Sequence, residues 1–209
     1  MKKKKPRRYY INKDYKYIYY VVPKVCTRTI MIWLNKNKYL NFHKYVVNKE
    51  GKQYPSPYYN DLLHKKHYEF FTFAFCRNPF DRLVSLYHDK VIKTKTSSWD
   101  IKFYKKWKNV SFDTFVSALC EVPCDELDGH ARFQNSLIPE HISFLGRFEN
   151  FTEDFDYVTN TLFSKSFKQN AIHQNKTQHK HYSEYYNKSL IQKVYKKYHQ
   201  DFERFGYTF

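Results

Sequence analysis

The sequence predicts an α/β fold, a three-layer sandwich with a central, mainly parallel sheet covered on both faces by helices. Two observations carry this expectation. Runs at residues 15–22 and 70–76 are aromatic, β-branched and apolar at nearly every position, the pattern of strands buried on both faces. Segments of helical period with capping residues follow each of them, and strands alternating with helices build parallel sheets. A chain of 209 residues with 42% hydrophobic content buries a full core and is too apolar for disorder, despite a formal charge of +17. No internal linker divides it, so residues 15–209 are expected to form one domain behind a basic tail at residues 1–14.

The elements follow in order. Tyr15 to Val22 predicts the first strand, broken by Pro23. Ile30 to Leu34 opens a helix. Residues 35–69 are polar, with a Pro55-Ser56-Pro57 turn, and predict a long loop or two short helices. Phe70 to Cys76 is the strongest strand signal. Asn78-Pro79 starts a helix to about Asp89, with Pro at its first position. Ser111 caps a helix that carries Phe112, Phe115, Val116 and Leu119 on one face. Ile142 to Phe148 predicts a short strand, and Thr152-Glu153-Asp154 the start of a helix to about Leu162. Residues 164–182 are loop-like. The last helix runs from about Asn187 to Arg204, with Leu190, Val194 and Tyr198 in register and Gly206 as its stop.

Composition removes several classes. Four Gly and no repeat period exclude collagen-like and solenoid chains. No window is apolar and long enough for a membrane span, and no apolar stretch follows the basic start as in a signal peptide. A soluble, cytoplasmic location in a microbial or virus-infected cell is the expectation. Cys26, Cys76, Cys120 and Cys124 are too few and scattered for a disulfide framework, and no metal site is expected. The charge rests on 29 Lys against 8 Arg, a bias that an A/T-rich genome also produces. It favours anionic partners without choosing among them.

Two segments carry chemistry. In Pro23-Lys24-Val25-Cys26-Thr27-Arg28-Thr29 a strand end turns into a helix start, where free backbone N–H groups and the positive dipole end suit a phosphate. Lys24 adds a point charge, Arg28 a fork, and Thr27 and Thr29 hydroxyls. An ordinary βα turn with a solvated Lys reads equally well here. The segment has no Gly, so it is not a G-x-x-x-x-G-K-[ST] loop, and no acidic pair for magnesium accompanies it. In the second segment Arg77 leaves the C-terminal end of a buried strand, and Ser85 lies two helical turns further on, so the two converge on a second anion site. Arg82 is expected to pair with Asp81 or another carboxylate. Where Lys dominates so strongly, Arg28, Arg77 and Arg82 mark places where the planar fork matters.

With Arg77-Asn78-Pro79-Phe80-Asp81-Arg82-Leu83-Val84-Ser85-Leu86-Tyr87 and the Pro23-Lys24 loop, the chain resembles the Golgi-type carbohydrate sulfotransferase family (sulfotransferase family 2) and its short bacterial and viral relatives. Gly146-Arg147-Phe148-Glu149-Asn150 and Tyr198 to Tyr207 add supporting likeness. The family loop has a small residue where Cys26 stands and Ser or Thr where Arg28 stands, and Golgi members carry an N-terminal anchor that is not seen here. The resemblance implies a P-loop-nucleotide-hydrolase-like fold and 3′-phosphoadenosine 5′-phosphosulfate (PAPS) as donor. It implies that Lys24, Val25, Cys26, Thr27, Arg28 and Thr29 bind the 5′-phosphosulfate, and Arg77 and Ser85 the 3′-phosphate. Arg147 is a further candidate for the nucleotide.

Sulfuryl transfer to a hydroxyl needs a cation at the leaving oxygen and a base at the acceptor. Lys24 is the candidate cation. His67, then His64, precede the second strand where some such enzymes place the base, and His130 lies in a segment resembling the family's His-plus-Gln element. The expected acceptor is a carbohydrate or glycan, and an acidic one would suit the basic charge. A basic nucleic-acid-binding module and a nucleotide kinase on a related fold are the competing readings; no nucleic-acid-binding signature supports the first. The sequence does not specify an oligomeric state.

Overall fold

The computed structural model describes residues 8–40, 45–47, 53–55, 69–93, 107–168 and 180–209. The chain divides into two compact units. One comprises Met1–Val22, Cys26–Phe75 and Leu137–Gln174, the other Pro23–Val25, Cys76–Ser136 and Asn175–Phe209.

The first unit is built on a four-stranded sheet in the order β1 (Tyr9–Asn12), β2 (Tyr17–Tyr20), β5 (Phe71–Cys76), β6 (Phe144–Arg147). β2 and β5 pair in parallel, with Tyr17 opposite Phe71 and Tyr19 opposite Phe73. β1 pairs antiparallel with β2, Ile11 opposite Ile18, so the sheet is mixed. This corrects two expectations. Residues 9–12 lie in a strand and not in the basic tail, and Asp14 to Lys16 form a turn where the first strand was expected to begin. The Asn12 side chain makes that turn: it accepts from the N–H groups of Asp14 and Tyr15, at 2.9 and 3.0 Å, and donates to the Tyr39 carbonyl. A local Asx contact thus outweighs the strand propensity of Tyr15.

α1 (Thr27–Lys36) and α5 (Phe151–Phe163) bury Trp33 and Phe155 with the sheet residues Tyr17, Phe73 and Phe75. Their rings meet edge-on or tilted, at centroid distances such as 5.5 Å for Trp33–Phe155 and 6.1 Å for Phe75–Phe155. Gly146 has a packing reason: a Cβ built there would come within 2.3 Å of the Phe75 ring, which is fully buried. Gly146→Ala is therefore expected to lower stability by roughly 1–3 kcal/mol, read by urea unfolding, since the ring has no space to withdraw into. The segment 35–69, expected as a loop or short helices, contains an antiparallel pair, β3 (Tyr45–Val47) and β4 (Gln53–Pro55), Val46 opposite Tyr54.

The second unit is helical. α2 (Pro79–Tyr87) starts as expected, with the Asn78 side chain accepting from the Phe80 N–H and Pro79 at its first position. It runs into one π-helical turn, His88–Ile92. α3 (Phe112–Glu121) is capped by Ser111, which accepts from the Thr114 N–H. α4 is a single turn, Gln134–Leu137, whose last residue belongs to the first unit. α6 (Lys188–Phe205) is capped by Asn187 and stops at Gly206, whose left-handed φ of 65° is the conformation glycine takes without cost. Phe80 of α2 is enclosed by Tyr186, Tyr195 and Phe202.

Candidate active site

The second unit gathers most of the chemistry-bearing residues. Lys24 sits in the short Pro23–Val25 segment with a left-handed φ of 74°, a conformation that costs a side-chain-bearing residue about 1 kcal/mol. Two arginines hold it there. Arg77 donates from Nη1 to the Lys24 carbonyl at 3.1 Å, and Arg82 from Nε to the Pro23 carbonyl at 3.1 Å and from Nη1 to that of Arg132 at 2.8 Å. The rigid fork of Arg82 thus spans two chain segments through backbone carbonyls, and it also lowers the pKa of the Asp201 carboxyl electrostatically. Arg77 pairs through Nε and Nη2 with Asp81, both at 2.8 Å. Gln134 closes the arrangement on the Arg77 backbone, accepting its N–H and donating to its carbonyl.

The Lys24 ammonium lies 3.0 Å from Asp89 Oδ2, and its side chain is only 13% exposed. Its pKa settles at about 8: burial lowers it most, Asp89 pulls it back up, and Lys90 and Arg77 add to the lowering. Burial pushes the Asp89 carboxyl up, but Lys24, Lys90 and His130 together outweigh it and leave the group below its ordinary value. His130 is thus electrostatically linked to the same cluster. Its Nδ1 is 2.8 Å from Asp128 Oδ1, which also accepts the His130 backbone N–H at 2.9 Å. A carboxylate on Nδ1 fixes the orientation of the ring. Ser85 is buried in α2. His64 and His67 lie outside the described residues.

The first unit holds the rest of the expected loop. Cys26, at a φ of 60°, precedes α1 with no side-chain cap, and the first turn of α1 has no acidic residue. Arg28 is exposed there, and Thr29 and, from the segment before it, Val25 are buried. Thr27 does not offer its hydroxyl as expected: it donates to the Val22 carbonyl at 2.6 Å and accepts from the Tyr19 hydroxyl. Arg147 is exposed, and its backbone N–H donates to Asp154 at 2.6 Å.

Sequence reasoning missed Asp89 and Asp201, and read Gln134 only as part of the His-plus-Gln segment. Asp201, fully buried on α6, accepts the N–H groups of Gln134 and Asn135 at 2.9 and 2.8 Å. A buried acid on an otherwise apolar helix face was the available signal. No cluster of three metal-ligating side chains forms among the described residues. The four cysteines are free thiols, and burial pushes Cys120 up to about 11. No helix among the described residues is long and apolar enough to cross a membrane.

Carbohydrate sulfotransferase 11 of Rattus norvegicus is 29% identical to the chain over 185 residues, covering 71% of this chain and 51% of the relative. The same protein of Mus musculus gives the same values. The chain therefore spans about half the length of these curated relatives. No solved structure matches. The sulfotransferase family pattern matches residues 7–208, nearly the whole sequence and every element of the site, so the chain belongs to the sulfotransferase family.

Proposed function

We propose that the protein transfers a sulfuryl group from PAPS to a hydroxyl of a carbohydrate. Lys24 carries this reading. It is a buried ammonium whose left-handed loop is held by two arginine–carbonyl contacts, and its partner Asp89 is electrostatically linked to His130, which Asp128 orients. The residues present suit the donor: α1 begins without a side-chain cap or an acidic residue, so an anionic group meets neither competition nor repulsion from its own first turn.

PAPS supplies the sulfuryl group. Residues 25–29 hold its 5′-phosphate side, and Arg77 and Ser85 its 3′-phosphate. Lys24 neutralises charge that grows on the phosphate oxygen as its bond to sulfur breaks. His130, oriented by Asp128, takes the acceptor proton as the acceptor oxygen bonds to sulfur. Adenosine 3′,5′-bisphosphate and the sulfate ester leave. His64 and His67 remain alternative bases, and Arg147 an additional nucleotide contact. The formal charge of +17 suits an acidic glycan as acceptor.

Thermal unfolding with adenosine 3′,5′-bisphosphate tests the reading, with adenosine monophosphate and ATP–magnesium as controls. Ligand at ~100 times its dissociation constant is expected to add about 2.7 kcal/mol, seen as a rise of roughly 5–10 °C. Ser85→Ala should reduce the rise without disturbing the Arg77 contacts to the loop. His130→Ala should retain the rise and lose roughly 10²–10⁴-fold in transfer. A rise with ATP–magnesium and none with the bisphosphate would overturn the proposal.

A further inference from the structure

The π-helical turn after α2 places a carboxylate on the one lysine that the proposed reaction needs. Lys24 Nζ is 3.0 Å from Asp89 Oδ2, and Lys90 Nζ is 3.6 Å from the same oxygen. Single π turns widen a helix by one residue and often re-aim a side chain at a functional site. The two partners differ in freedom: the Lys24 side chain is 13% exposed and Asp89 39%, so the carboxylate is the partner able to move. Arg77, the neighbouring cation from the end of β5, is already engaged by Asp81.

An anion arriving at Lys24 meets Asp89 first. Two negative groups on one buried ammonium repel, so either the anion stays out or the carboxylate gives way. Lys90 lies next to it on the same turn, and His130, from the segment before α4, acts on it electrostatically. We infer that Asp89 is the positioning residue of Lys24: it keeps the ammonium beside the loop until a phosphate or phosphosulfate takes its place, then passes to Lys90. The inference rests on Lys24 being the group that meets the donor.

Asp89 then has two opposed effects. It competes with the incoming anion for Lys24, and it keeps Lys24 protonated against burial: the pKa of about 8 already includes its upward pull. Asp89→Asn should therefore bind an anionic nucleotide more tightly where Lys24 is charged, yet lose that binding at lower pH than the parent. The charged groups acting on Lys24 among the described residues are Asp89 and Lys90 from the π turn and Arg77 from β5, with His130 acting on Asp89. A residue that merely braced the fold would not produce this crossing of the two pH profiles.

The experiment is calorimetric titration of the full chain with adenosine 3′,5′-bisphosphate across neutral to alkaline pH, for the parent, Asp89→Asn, Lys24→Ala and the double variant. Asp89→Asn is expected to gain roughly three- to tenfold near neutrality, the range between an exposed and a half-buried ion pair, and to lose affinity at lower pH. In the Lys24→Ala background the substitution should have no effect. Unchanged affinity and pH profile, or the same gain without Lys24, overturns the inference. A parent that binds no bisphosphate refutes the proposed donor site instead. In that case, competitive acetylation of Lys24 against pH reads the contact directly: a lower midpoint in Asp89→Asn supports the positioning role, and an unmoved one overturns it.

Discussion

Lys24→Met is expected to abolish most sulfuryl transfer while making the folded protein more stable at neutral pH. The loss should be roughly 10²–10³-fold in kcat, the range seen when one preorganised group at a developing charge is removed. The gain has a separate cause. Burial lowers the Lys24 pKa from 10.5 to about 8, so the folded state carries this charge at a cost. The full depression corresponds to roughly 3 kcal/mol, an upper limit because methionine must also fill the space. The cost is complete below about pH 8 and fades as pH rises to 10.5, where the unfolded chain also gives up its proton. Denaturant unfolding of parent and variant should therefore show the largest gap below pH 8 and convergence above 10.5. Asp89 loses its partner but keeps Lys90 and some access to water, which limits the offset. A variant less stable than the parent at pH 7 would refute this account.

Asp201→Ala should have the largest structural effect on the site. Its carboxylate accepts two backbone N–H groups, from Gln134 and Asn135, and both lose their acceptor together. Each stranded buried donor costs about 1–3 kcal/mol, partly offset because burial already pushes the Asp201 carboxyl up. A net loss of roughly 2–4 kcal/mol follows, lowering Tm by about 5–12 °C. The effect extends beyond stability. Gln134 holds the Arg77 backbone, and Arg77 holds the Lys24 carbonyl, so kcat should fall even where the variant is folded. Asp201→Asn offers an oxygen to one N–H and an NH2 to the other, and should show about half the loss of stability.

The residues that announce themselves locally were readable in the sequence. Asn78-Pro79, Ser111 and Asn187 each carry their own capping chemistry, and Phe71–Cys76 is apolar except for Thr72. The Lys24 and Arg77 segments were legible because unusual residue types cluster at strand ends. β1 was hidden by the lysine and arginine run before it, since four residues cannot outweigh six charges in any window. The antiparallel sense of β1 depends on the Asn12 turn, which alternation of strands and helices does not reveal. Asp89 was invisible for a different reason: its role depends on a π turn, and a period of 3.6 places it elsewhere on the helix. Arg82 shows what charge pairing leaves out: beside its electrostatic link to Asp201 it donates to two backbone carbonyls, and the sequence does not record which carbonyls need a donor.

The segment leading to α1 contains no glycine, although Lys24 and Cys26 both stand in left-handed backbone. In the unfolded chain neither residue visits that region often, so ordering the segment is work completed when the protein folds. The proposed donor would meet a segment whose ordering entropy has already been spent, so its affinity would not be reduced by having to shape the backbone. The same residues make the segment poor material for transplantation. Cut away from the arginine side chains that grip its carbonyls, it would relax to ordinary right-handed or extended conformations, and the lysine would point somewhere else.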